Sequence, residues 1–185
     1  MKEPQVILIR GATVLERLQS IIESLGISTW LGSREDFITT AVLAKSCHNK
    51  PLAPKTAFIH LSAEIIENRP RENKDIEGMI LSLLPETSRR VFLTYGHQPK
   101  DVARIAILLG GDMIFEETVL TDHPEWIQKI LERQEATEEE IRERGKTIEI
   151  DGKRMGLDLR RDPEVNMYPA GVDPRDNYYK RGKEE

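Results

Sequence analysis

The chain is poor in cysteine, with only Cys47 among 185 residues. A single cysteine excludes an intramolecular disulfide framework and any zinc finger built on cysteine pairs. Long apolar runs are missing too. The uncharged stretch from Phe37 to Ala44 falls far short of the roughly 20 residues that a membrane-spanning helix needs, so no membrane association is expected. The start, Met1-Lys2-Glu3-Pro4-Gln5, leads into no apolar segment with a small-residue cleavage site, and no secretory leader is expected. Neither sign of charge dominates: 27 Lys+Arg stand against 32 Asp+Glu, a formal net charge of −5. That lacks the strongly basic balance of a DNA-binding domain. Aromatic residues are scarce at 5 %. Hydrophobic residues, at 38 %, still suffice for a core. These counts predict a cytoplasmic protein of one domain with an appendage.

Residues 1–134 read as an alternation of strands and helices. Val6-Ile7-Leu8-Ile9 is a continuous β-branched-rich run, the pattern of a strand buried on both faces. Val14, Leu15, Leu18, Ile21, Ile22 and Leu25 follow at helical spacing, and Gly26 ends that helix. Ile27–Leu31 reads as a second strand, and Ser33 caps a helix beginning at Arg34. Thr56–Leu61 is a third strand, Asp75–Leu84 a helix, and Val91–Tyr95 a fourth strand. Pro99–Leu109 is helical, with proline in the first turn and Gly110-Gly111 after the last. Met113–Phe115 is a fifth strand, and Pro124 to about Glu143 a final helix.

Five strands alternating with five helices predict an α/β fold with right-handed crossovers. The length fits a flavodoxin-like, three-layer sandwich with a five-stranded parallel sheet in the order 2-1-3-4-5. Ligands of such sheets lie beyond the carboxyl ends of the strands. That rim would carry Arg10, Gly11, His60, Ser62, Thr94, Tyr95, Glu116 and Glu117.

Residues 135–185 differ in composition. Glu135, Glu138, Glu139, Glu140 and Glu143 suggest a solvated helix extension. Thr147–Ile150, Asp151-Gly152 and Lys153–Leu157 read as a β-hairpin around a favoured two-residue turn. The charged, proline-spaced remainder reads as an extended arm carrying Tyr168, Tyr178 and Tyr179. Tyrosine is enriched in interface cores, so these three residues and Trp126 are candidate interaction residues.

The segments Arg90–Tyr95 and Ala106–Phe115 place a polar Thr94 at the end of a strand, then a helix, Gly110-Gly111-Asp112, and a strand. In this register residues 4–133 resemble a response-regulator receiver domain of the CheY-like kind. The resemblance implies acidic residues after the first strand, a phospho-accepting aspartate ending the third and a lysine ending the fifth. This chain has Arg10-Gly11, His60-Leu61-Ser62 and Glu116-Glu117 at those places, and only Thr94 matches. A magnesium ion needs carboxylate oxygens, and aspartyl phosphorylation needs a carboxylate nucleophile. The resemblance therefore implies a degenerate pseudo-receiver, a non-catalytic regulatory or protein-interaction module with no cofactor and no metal. It also implies homo-oligomer or partner contact through a face made of Lys100–Leu109, Met113–Phe115 and Trp126–Arg133, joined by the C-terminal arm.

Two other readings stay open. The rim residues Arg10, His60, Thr94 and Glu117 suit a small anionic or nucleotide ligand, or an enzyme acting on one. The pairs Arg89-Arg90, Lys153-Arg154, Arg160-Arg161 and Lys180-Arg181 suit phosphate contact in a nucleic-acid accessory protein. No Ser/His/Asp set, nucleotide-type glycine loop or metal-ligand spacing is legible. Cys47-His48 with His97 is too scattered to specify a metal site.

Overall fold

The structure is a computed structural model and describes residues 3–11, 15–47, 52–61, 72–133, 135–157 and 167–169. Its strands are β1 (Val6–Ile9), β2 (Thr29–Gly32), β3 (Thr56–His60), β4 (Arg89–Thr94), β5 (Met113–Glu116), β6 (Thr147–Ile150), β7 (Lys153–Leu157) and β8 (Met167–Pro169). Its helices are α1 (Glu16–Ser24), α2 (Arg34–Ser46), α3 (Glu72–Leu83), α4 (Pro99–Leu108), α5 (Glu117–Asp122), α6 (Pro124–Glu132) and α7 (Glu138–Glu143).

The fold is α/β with a mostly parallel sheet. The strand order is β2-β1-β3-β4-β5-β6-β7-β8. Its first five members run parallel in the flavodoxin-like order. The expectation of a five-stranded sheet is corrected, because β6 adds in parallel to the outer edge of β5, matching Met113 with Glu149 and Ile114 with Ile150. β7 and β8 then continue the sheet antiparallel. An exposed β5 edge would leave a row of unpaired backbone groups, and the hairpin covers it. Its turn has the expected geometry, with Asp151 at φ 50° and Gly152 at φ 75°.

Alternation along the strands makes two cores. Ile7, Ile9, Ile59, Phe92 and Ile114 face α2, α3 and α4, through Phe37, Ile80 and Val102 among others. Ile148 and Ile150 of β6 join that same core. Val6, Leu8, Phe58, Val91, Leu93, Met113 and Phe115 face α1, α5 and α6. Gly111 allows β4 and α4 to close together, since a methyl group there would overlap the Phe92 ring and approach the Ala106 carbonyl.

A single final helix from Pro124 to Glu143 does not form. α6 ends at Glu132, and α7 starts anew behind Thr137. Thr137 and Glu140 make a reciprocal capping box. The expected solvated extension is also corrected at Glu140, which is buried. Its carboxylate accepts a hydrogen bond from Arg89 at 2.9 Å, and the Arg89 side chain is wholly inaccessible. Arg89 also donates to the Ile130 carbonyl at 3.2 Å and the Glu135 carbonyl at 2.8 Å. Burial raises the Glu140 carboxyl, but hydrogen bonds from the Thr137 backbone and Arg89 outweigh it and leave the carboxyl below its ordinary value. Beside this pair, Arg144 grips Asp112 through two bonds of 2.8 and 2.7 Å. Asp112 in turn accepts the Arg90 backbone N–H at 2.8 Å. Two buried ion pairs thus pin residues 135–144 to the amino ends of β4 and β5.

Candidate functional site

The carboxyl rim is built where β1, β3, β4 and β5 end. Arg10 follows β1 and is exposed; its N–H donates to the Gly32 carbonyl at 3.0 Å. His60 ends β3 and is buried. Gly11 lies directly on it, so that a Cβ there would stand 2.5 Å from His60 Nδ1. His60 Nε2 is 3.5 Å from Oε2 of the buried Glu117, which opens α5. Burial, reinforced by the Arg34 cation, pushes the His60 imidazole down to about 4. The ring is therefore neutral at pH 7.

Thr94 is buried at the end of β4, with Oγ1 2.7 Å from the His97 carbonyl and 3.4 Å from the Phe115 carbonyl. Its hydroxyl proton is directed at the backbone. Glu116 caps α5, accepting the Val119 N–H at 3.0 Å. Tyr95 is exposed. Ser62, His48, Tyr178 and Tyr179 lie outside the described residues. Cys47 is exposed. Among the described residues, no three His, Cys, Asp or Glu side chains converge as a metal-holding group.

Sequence reasoning brought Arg10, His60, Thr94 and Glu117 to this rim but missed the residue that organises it. Arg34, the first residue of α2, reaches across the end of the sheet. Its Nε donates to Glu77 of α3 at 2.5 Å, Nη1 donates to the Arg10 carbonyl at 3.3 Å, and Nη2 donates to the His60 carbonyl. One guanidinium thus ties together the ends of β1 and β3, the start of α2 and the middle of α3. Burial pushes the Glu77 carboxyl up, and Arg34 opposes that shift. A signal for Arg34 was present: a cation in the first helical turn is disfavoured by the helix dipole and calls for a partner elsewhere.

The second feature is a groove of about 340 Å³ on the α6 side of the sheet. Met113, Phe115, Trp126 and Ile130 give it an apolar floor. Lys129 of α6 and Arg133, its C-cap, line one side, and Glu149 and Asp151 the other. Arg133 bridges to Glu149 at 3.4 Å. Trp126 is half-buried, stacked on His123 with ring centres 4.5 Å apart and tilted against Phe115 at 6.3 Å. The groove exists because α6 covers β5 and stops short of the added strands.

The interaction face expected from the receiver resemblance is thereby divided. α4 packs on one side of the sheet and α6 on the other, while β5 between them is internal and its outer edge is taken by β6. Trp126 remains on the open part. Tyr168 lies in β8, opposite Gly156. Of the basic pairs, Arg89-Arg90 is withdrawn from phosphate contact, since Arg89 is wholly buried and Arg90 is directed at the Gly110 and Leu81 carbonyls. Comparison with family models, curated proteins and solved structures gives no match for this chain.

Proposed function

We propose that the chain is a non-catalytic, receiver-like interaction module that recognises a protein through the α6–β5–β6 groove and is not phosphorylated on aspartate. The observation that carries this reading is the Arg34 network. Where an open α/β sheet ordinarily holds a ligand, a guanidinium bonds two strand-end carbonyls and a buried carboxylate. The neighbouring imidazole is neutral, and the Thr94 hydroxyl is directed at the backbone. The guanidinium and the hydroxyl hold strand ends in place. The groove, in contrast, joins an aromatic and aliphatic floor to walls of opposite charge, the composition of a recognition surface. No helix of the described residues is long and apolar enough to cross a membrane.

The test is to incubate the full chain with magnesium and acetyl phosphate and measure its intact mass. The proposal expects an unchanged mass. Hydroxylamine-sensitive phosphate on an aspartate would overturn it.

A further inference from the structure

We infer that the groove receives the tyrosine-bearing segment of the chain's own C-terminal arm, residues 176–181. This deepens the reading of the groove as a docking surface and rests on it: an external partner would have to displace the arm.

Three observations support this occupant. The first is where the described chain ends. β6 runs parallel to β5, β7 antiparallel to β6 and β8 antiparallel to β7, so β8 points toward the carboxyl rim. Pro169 is paired with Met155, which faces Ile148 of β6, so the described chain ends level with the start of β5 and heads toward the Asp151-Gly152 turn that borders the groove. The second is reach. β8 stands two strand positions from β6, about 10 Å. Tyr178 follows nine residues after Pro169 and can extend up to roughly 30 Å from it. The third is chemistry. The segment reads Asp176-Asn177-Tyr178-Tyr179-Lys180-Arg181, an aromatic pair with acid before it and base after it. The groove offers an aromatic and aliphatic floor with Lys129 on its basic side and Asp151 on its acidic side, while Arg133 and Glu149 are bridged to each other at 3.4 Å. Rigid aromatic side chains fill such a site at low entropic cost.

The chain contains only Trp30 and Trp126, so ¹⁵N spectra of the full chain report on the groove through one indole N–H and on a remote site through the other. Replacing Tyr178 and Tyr179 together by Ala is expected to move the Trp126 indole resonance and leave Trp30 in place. The charge reversal Lys180→Glu with Arg181→Glu moves Trp126 as well. A synthetic peptide of residues 170–185, added to the Tyr178→Ala/Tyr179→Ala chain, moves the Trp126 signal back. A short tether supplies a millimolar effective concentration. For a peptide Kd of about 100 μM, the unaltered chain should therefore need roughly tenfold more peptide for the same response.

The inference is overturned if Trp126 moves in neither variant, or if both chains respond equally to the peptide. A Trp126 position that depends on protein concentration, together with a dimer in sedimentation, would assign the site to a second copy and also overturn it. None of these outcomes produces an aspartyl phosphate. Failure here is thus distinct from failure of the non-catalytic reading.

Discussion

The buried Arg89–Glu140 pair allows a quantitative prediction. Arg89 is wholly inaccessible and spends its guanidinium on Glu140 and the carbonyls of Ile130 and Glu135. Replacing Glu140 by Ala removes the only formal negative charge among those three acceptors. It also deletes half of the capping box at Thr137. Breaking a buried pair from one side costs about 3–5 kcal/mol, because the other charge is left uncompensated. Urea unfolding of Glu140→Ala at pH 7 should therefore show a loss of roughly 4 kcal/mol. The double variant Arg89→Met/Glu140→Leu removes both charges together and should recover most of that loss, since apolar replacement of a buried pair is often neutral or better. The Glu140 carboxyl is held below its unfolded value in the native state. Its contribution is therefore full above the unfolded pKa, near 4.5, and is lost as pH falls through the folded value. A loss below 1 kcal/mol in Glu140→Ala, or a double variant no more stable than the single one, would refute the reasoning.

Three further outcomes follow from the core and the rim. The His60 imidazole is lowered from 6.5 to about 4, so the unfolded chain binds the extra proton between those values. Stability should be full above pH 6.5 and fall by on the order of 3 kcal/mol as pH drops to 4; urea unfolding of His60→Gln across that range should lack the slope. Gly111→Ala forces a methyl group against the buried Phe92 ring and should cost about 1–3 kcal/mol by thermal unfolding; a neutral result would mean that β4 and α4 are not closely packed. Arg34→Met leaves Glu77 buried without its cation and should cost about 3 kcal/mol, with Arg34→Met/Glu77→Leu recovering most of it; equal loss in both variants would remove Arg34 from its organising position.

The parallel strands were legible because Val6–Ile9 and residues 56–59 are unbroken apolar or β-branched runs, a pattern that few other environments produce. The hairpin was legible from Asp151-Gly152, but its place in the sheet was not. Ile148 and Ile150 show that one face of β6 is buried, and say nothing of which edge it joins. The break between α6 and α7 had a local signal, Thr137 with Glu140 three residues on, hidden in a run of glutamates whose burial depends on Arg89, 51 residues away. The rim divides similarly. Arg10, His60, Thr94 and Glu117 stand at or next to strand ends, where topology alone gathers them. The Arg34–Glu77 bond joins two helices 43 residues apart, and no periodicity records such a pairing. The groove arises from where α6 ends relative to strands added after it, which is a property of assembled elements.

The central claim is that the carboxyl rim is a structural corner and that recognition occurs elsewhere. Its most direct test is a proton NMR titration of the His60 ring in the full chain, run with and without magnesium and acetyl phosphate. The account predicts an imidazole that stays neutral down to about pH 4 and a resonance that neither additive moves. A His60 that titrates near neutrality and shifts when the phosphodonor or the metal is added would contradict it.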